Sequence, residues 1–379
     1  MSRILAIHPN SELYGADRIF LESVSFLISD GYKVDIILKE EGPLVDLIKE
    51  KLKKDVCIVP FLPVAVRSGL SFCSFIQFIV DNLKFFIYLL KLKNKYTIIY
   101  SNTLALFTIS AISKILNVQS NIIHSHEMIS CHGALSKIII SFSEVFSSKV
   151  ICVSNAVKQD MLNGSLIGNK LKYKVVHNGI KDVKNFKDLK KKNFLQGRKI
   201  NFLLLGRIMP EKGQWFLVET LKLFSKEELD KMSIKLVGSP PPLRKGLLDD
   251  LKNIVTKLEL NKYIDIVDFV NDPFEIISNC DVCLVPSIMP DPFPTTVIEG
   301  MSCAKPIIVT NSGGAKEIVV DGRNGILIEP NNINEFKSAI QFFISNPELI
   351  FSFGKASRKI YEDYLNVDKF KERFLMEFK

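Results

Sequence analysis

Val285–Ile328, VPSIMPDPFPTTVIEGMSCAKPIIVTNSGGAKEIVVDGRNGILI, alternates two kinds of local signal. Short apolar runs (CDVCLVP leading into it, then PIIVT and GILIEP) read as strands, while PFPTTVIEG and the segment after Gly313 and Gly314 read as helix starts. The runs are continuously apolar rather than alternating, as in strands covered on both faces, so a parallel sheet with crossover helices is expected.

The same rhythm holds outward from this stretch. INFLLLG, SIKLVG and YIDIVDF precede it, and ILAIH, VDIIL, CIVPF, TIIYS, NIIHSH and KVICVS open the chain. Between the two series, Lys181 to Lys199 is lysine-rich and without periodicity, and reads as a linker. A length of 379 residues suits two domains. The expected fold is α/β: two doubly wound Rossmann-like domains, residues 1–185 and 186–359, facing across a cleft where strand C-termini and helix N-termini converge. A C-terminal helix, 360–379, is expected to pack back on the first domain.

Hydrophobic residues make up 47% and charged residues 24%, a globular composition. The net charge of +9 is uneven: Met1 to Leu195 carries +10 and the remainder −1. The basic half points to an anionic partner, and no basic-aromatic interleaving or binding module points to nucleic acid. Met1-Ser2-Arg3 leads straight into ILAIH without a signal-peptide pattern, so a reducing, cytoplasmic setting is expected for the seven scattered cysteines. Cys280 and Cys283 form a C-x-x-C, but they sit in an apolar strand with no second Cys/His pair, which favours a packing role. The uncharged span from Tyr96 to Ser113 splits at SNT into strand and helix rather than crossing a membrane.

Several strand ends carry chemistry-bearing residues. After INFLLLG come Gly206, Arg207, Lys212 and Gly213, two cations well placed for a diphosphate. Neither the P-loop order nor a G-x-G-x-x-G after the first strand is present, which disfavours an ATPase or dehydrogenase. Pro294 can begin a helix whose free amides at Thr295, Thr296 and Val297 favour an anion, with Glu299 one turn further in. In the first domain Gly15 precedes a helix after the first strand. NIIHSHEM ends another strand with His124 and His126 on one side, followed by Glu127; no third zinc ligand at a characteristic spacing accompanies them.

The stretches GRIMPEKG, Val285–Ile328, VVHNGI, VICVSNAVKQDM and YGADR, spanning nearly the whole chain, resemble the retaining nucleotide-sugar glycosyltransferases of the GT-B fold, glycosyltransferase family 4. The resemblance implies that Asp291 and Glu299 match two family glutamates that address the donor, the first at the transferred sugar and the second at the ribose. It implies that Arg207 and Lys212 bind the diphosphate, that Gly15 offers a backbone contact near the phosphates, and that His126 lies near sugar and acceptor. Gly206 and Gly238 fall in the donor-binding turns, Gly238 where backbone usually grips the base. Here the first acidic residue is Asp rather than Glu, and Pro292 and Pro294 offer no N–H.

The mechanism implied is front-face substitution with retention, in which Arg207, Lys212 and the amides at Thr295 and Thr296 stabilise the leaving diphosphate. No Asp-x-Asp occurs, so neither a catalytic metal nor a cofactor is expected. The expected partners are a nucleotide-sugar donor and a glycan or lipid-linked acceptor. A nucleotide-sugar epimerase or a non-enzymatic nucleotide-sugar binder are the competing readings. Between Phe72 and Lys95, Phe72, Phe75, Ile76, Ile79, Val80, Leu83, Phe86, Ile87 and Leu90 form one apolar face, expected to pack on the sheet. A second stripe, Phe78, Phe85, Leu89 and Leu92 beside Lys84, Lys91, Lys93 and Lys95, suits an anionic membrane surface, with the protein peripheral on the inner face.

Overall fold

ILAIH becomes strand β1 (Arg3–His8), and every side chain from Ile4 to His8 is buried. A strand with no exposed face needs partners on both edges and helices on both sides, which a parallel sheet supplies. The computed structural model describes residues 2–65, 72–92, 94–130, 133–183, 198–270 and 272–379. They form two compact units, Met1–Asn178 with Lys371–Lys379, and Gly179–Phe370. Most of the expected linker, 184–197, lies outside the described residues, and so does the expected boundary at 185/186.

In the first unit β1 is joined by β2 (Lys33–Leu38), β3 (Val56–Ile58), β4 (Ile98–Ser101), β5 (Ser120–Ser125), β6 (Lys149–Cys152) and β7 (Tyr173–Val175). All pairings are parallel, in the order β3-β2-β1-β4-β5-β6-β7. The second unit repeats the plan with β8 (Ile200–Leu205), β9 (Met232–Val237), β10 (Ile264–Val267), β11 (Val282–Val285), β12 (Ile307–Thr310) and β13 (Gly325–Ile328). Their order is β10-β9-β8-β11-β12-β13, again all parallel. Each sheet therefore has one place where the strand order reverses, between β1 and β4 and between β8 and β11. Open α/β sheets bind ligands beyond the strand C-termini at such a place.

Helices α1 (Gly15–Ser29), α2 (Pro43–Leu52), α3 (Phe72–Lys91) and α4 (Phe107–Ile115) belong to the first unit. The span from Tyr96 to Ser113 divides as read, into β4, a short 3-10 turn and α4. Cys280 and Cys283 are buried free thiols with sulfurs 3.8 Å apart. The C-terminal segment that belongs to the first unit is Lys371–Lys379, shorter than the expected 360–379. Within that unit Phe374 and Phe378 set their rings edgewise on Tyr100, at 5.7 Å each, and Lys149 Nζ reaches Glu377 at 2.8 Å.

Helix α3 packs the opposite way from expectation. Phe85 and Leu89, assigned to the outward stripe, are 0% and 3% exposed and join Leu5, Ile7, Ile99 and Ile109 in the core, with Leu92 partly buried beside them. Phe78 stacks on Phe107 of α4 at 6.2 Å. The face expected on the sheet, including Phe75, Ile79, Leu83, Ile87 and Leu90, is exposed instead. The helix is apolar on two sides, so periodicity could not say which side met the sheet. Lys93 lies outside the described residues. By length and composition α3 would suffice to cross a membrane.

This assignment makes two neighbouring substitutions diverge. Phe85→Ala should destabilise the fold by about 3–5 kcal/mol, as for a buried aromatic. Leu83→Ala, two residues away but exposed, should stay within about 0.5 kcal/mol of wild type. Urea unfolding of both variants measures the difference, and equal losses would contradict the observed orientation.

Candidate functional site

The loops that leave the second sheet at its order reversal carry the residues singled out above. Beyond β8, Gly206 and Arg207 lead into a 3-10 turn, Pro210–Lys212; beyond the adjacent β11, the chain runs through Ser287 to Asp291. The two loops are tied together. The Ile288 amide donates to the Glu211 carbonyl at 3.0 Å, and Lys212 Nζ donates to Asp291 Oδ2 at 2.5 Å. A third loop supports them from β12: the Gly314 amide donates to the Asp291 carbonyl at 2.9 Å. Gly313 there has φ +60°, and a Cβ on it would lie 2.1 Å from that same carbonyl oxygen, so a side chain would drive the loops apart.

Gly238 plays a similar part beyond β9. Its φ is +149°, and a Cβ would lie 2.0 Å from the Gly206 carbonyl oxygen. The Gly238 amide donates to Val267 and the Gly206 amide to Val237, so neither amide is available to a ligand. This narrows what backbone at Gly238 can offer a base.

The helix Thr295–Ser302 begins one residue later than expected. Pro294 is its N-cap, not its first residue, and the Val297 amide already donates to the Pro294 carbonyl at 3.2 Å. That removes Val297 from the expected anion-binding amides and leaves Thr295 and Thr296, both half-buried, at the open end. Glu299 stacks one turn above Thr295 on the same helix face and is only 9% exposed, so it is not an ordinary solvated helix glutamate. Ser287, which sequence reasoning passed over, is buried beside these loops with an unpartnered hydroxyl.

In the first unit the polar residues at the ends of β1, β4 and β5 are joined into one network. Its hub is Asn102, just beyond β4 and fully buried. Asn102 Oδ1 accepts from the Tyr100 hydroxyl at 2.8 Å and lies 3.0 Å from His126 Nε2. Asn102 Nδ2 lies 3.2 Å from His8 Nδ1 and donates to the Ala16 carbonyl at 3.2 Å. His8 Nε2 lies 2.7 Å from Asp17 of α1, and Asp17 accepts from the Tyr14 amide at 2.9 Å, holding the turn just before Gly15, the first residue of α1. Glu127 accepts from the amides of Leu104 and His126 and from the Thr103 hydroxyl.

These bonds set tautomers. Asn102 Oδ1 can only accept, so His126 carries its proton on Nε2 and presents Nδ1 as an acceptor. Burial pushes the His126 imidazole down to about 4, against a smaller upward pull from Glu127. His124, whose ring centre is 4.3 Å from that of His126, is held well below its ordinary value by burial and by its neighbour. Both rings are therefore neutral at physiological pH. The signal for Asn102 in the sequence was the polar triplet SNT closing an apolar strand; nothing local announced its partners.

Comparison with known proteins bears on the family and the fold. Residues 185–360 match the family model "Glycosyl transferases group 1". The chain is 27% identical over 385 aligned positions to an Escherichia coli UDP-Gal:alpha-D-GlcNAc-diphosphoundecaprenol alpha-1,3-galactosyltransferase, covering 96% of this chain and 94% of that protein. The solved structure of Anabaena HepE with UDP superposes with a TM-score of 0.79 at 20% identity over 99% of both chains. Staphylococcus aureus TarM does so with a TM-score of 0.74 at 13% identity over 100% of both. The chain is a GT-B glycosyltransferase. A shorter match, 27% identical over 222 residues, covers 56% of this chain and 59% of the Staphylococcus aureus capsular polysaccharide biosynthesis glycosyltransferase CapH. In this glycosyltransferase the Lys212–Asp291 pair and the helix end at Thr295 and Thr296 all lie within the residues matched by that family model.

The neutral histidines bear on its pH response. An unfolded histidine titrates near about 6.5. As pH falls from there to about 4 the unfolded chain takes up protons that folded His126 refuses, so stability is present above the unfolded value and falls as pH drops. We expect the melting temperature to decline across that window. His126→Gln, which keeps a donor for Asn102, should flatten the decline, and an unchanged slope would contradict the assignment.

Proposed function

We propose that this glycosyltransferase is retaining and metal-independent, and that it moves a sugar from a nucleoside-diphosphate sugar to a lipid-linked glycan precursor on the cytoplasmic face of a membrane. The observation that carries the reading is the Lys212–Asp291 pair at the sheet's order reversal, next to the helix end at Thr295 and Thr296. The acceptor class is supported by the Escherichia coli relative, whose name specifies a diphosphoundecaprenol-linked sugar.

In this reading the donor diphosphate lies against Arg207, Lys212 and the Thr295 and Thr296 amides. The bond between the anomeric carbon and the β-phosphate oxygen breaks, its electron pair leaves with the diphosphate, and the acceptor oxygen bonds to the same face of that carbon. The acceptor's proton passes to the departing phosphate oxygen. Negative charge grows on the diphosphate as it leaves, and preorganised donors of this kind are typically worth about 2.7–4 kcal/mol each. The absence of Asp-x-Asp from the sequence motivates assigning this work to side chains and amides rather than to a metal. Asp291, released from Lys212 by the diphosphate, turns to the sugar hydroxyls. Glu299 holds the ribose, and Gly206 and Gly238 shape the donor turn; on the first unit, the backbone at Gly15 is offered to an anionic group. On the first unit, neutral His126 can accept a hydrogen bond from a sugar or acceptor hydroxyl through Nδ1.

Transfer from nucleotide sugars to a polyprenyl-diphosphate sugar tests the whole reading. Product should keep the donor's anomeric configuration and should form in excess chelator. Inverted product would end the retaining assignment, and activity restored only by added magnesium or manganese would end the metal-independent one.

Calorimetry separates the carboxylates. Glu299→Gln should weaken both the free nucleoside diphosphate and the nucleotide sugar by roughly tenfold, the scale of one lost charge-assisted hydrogen bond. Asp291→Asn should weaken only the nucleotide sugar. Equal losses for both ligands in both variants would mean the two roles are misassigned.

A further inference from the structure

Helix α3 turns to solvent an apolar strip that its own unit does not use. Phe75, Ile79, Leu83, Ile87 and Leu90 recur at helical spacing, and their exposures run from 44% for Ile79 to 60% for Leu83. The opposite side is committed, because Phe85 and Leu89 are buried in the core. That side holds the helix to its unit, although the helix is long and apolar enough to cross a bilayer. A contiguous strip about 30 Å long, from 20 residues, is more than a soluble surface ordinarily leaves to water.

Charge says what covers it. Lys84 and Lys91 are exposed along one border of the strip. From Phe72 to Phe146 the sequence has six lysines against three acidic residues, and none of Asp81, Glu127 and Glu144 is fully exposed. A second copy pairing strip to strip would bring the same lysines together, whereas an anionic surface would be attracted to them.

We propose that this strip is the surface by which the protein lies on an anionic lipid bilayer, with α3 flat in the headgroup region and Lys84 and Lys91 at the phosphates. This reverses the face that the sequence pattern suggested. It deepens the lipid-linked acceptor reading, on which it rests only for its purpose: a docked enzyme meets a membrane-bound acceptor in two dimensions.

Flotation of the full-length protein with phosphatidylcholine vesicles, with and without phosphatidylglycerol, tests it. Wild type should float with the anionic vesicles and be released by high salt. Ile79→Ser/Leu83→Ser/Ile87→Ser should lose binding by about a hundredfold or more. Lys84→Gln/Lys91→Gln should lose about fivefold per lysine. Both variants should keep the wild-type melting temperature, since all five side chains are exposed, and both should keep transfer to a short-chain, water-soluble acceptor. Wild type that ignores anionic vesicles, or a triple variant that floats equally well, overturns the proposal. So does a wild-type dimer that the triple variant converts to monomer. Wild type that floats but fails to glycosylate any polyprenyl-diphosphate acceptor leaves the docking surface standing and removes the acceptor reading.

Discussion

A parallel sheet covered on both faces has nowhere to put a polar side chain except at the ends of its strands. An unpaired polar group in the interior costs about 1–3 kcal/mol, so the strands beside each order reversal, β1, β4, β8 and β11, are largely apolar through their middles and their chemistry collects beyond the last residues. Here β1 closes on His8, β4 on Ser101 before Asn102, β5 on His124 and Ser125 before His126, and β8 on Leu205 before Gly206 and Arg207. The strand order reverses once in each sheet, and there the neighbouring loops diverge and leave room for a ligand. Every residue assigned to the reaction lies on a loop, strand end or helix governed by that one constraint.

The two units meet it with different electrostatics. The first builds a hydrogen-bonded network in which Asn102 ties together β1, β4, β5 and α1, and His124 and His126 stay uncharged because burial disfavours the imidazolium more than Glu127 favours it. Such a network fixes side-chain orientation and offers hydrogen bonds without attracting anions. The second holds an ion pair, Lys212 with Asp291, where the lysine is 40% and the aspartate 16% exposed. A half-solvated pair contributes little to stability and can be exchanged for another anion at small cost. That suits the diphosphate proposed to bind there, accumulate charge and leave.

The candidate site was more legible than its surroundings. Arg207, Lys212, Asp291, Thr295, Thr296 and Glu299 could be singled out because strand ends, glycines and a helix start are local signals. Their assembly is not local: Gly313 and Gly314 brace Asp291, and Gly238 makes room for Gly206, through contacts between loops far apart in the chain. The Val297 amide was lost to the expected anion site by a shift of one residue at Pro294, because a proline with φ −68° satisfies a cap as readily as a first helical turn. Asn102 carried no signal beyond its polarity, since a hub is defined by partners that only the folded sheet brings together.

The sequence by itself determined the two parallel sheets, the strand ends that carry the candidate residues and the separation of a basic half from a neutral one, because continuous apolar runs and turn residues act over a few residues at a time. Only the tertiary structure decided which side of α3 meets the core. That helix is apolar on opposed faces, and hydrophobic periodicity measures the width of an apolar surface, not its direction. Phe85 and Leu89 fit among Leu5, Ile7, Ile99 and Ile109, and that fit depends on the shapes of side chains from other strands and another helix. The wider apolar face was left outside, where no pattern in the sequence had put it.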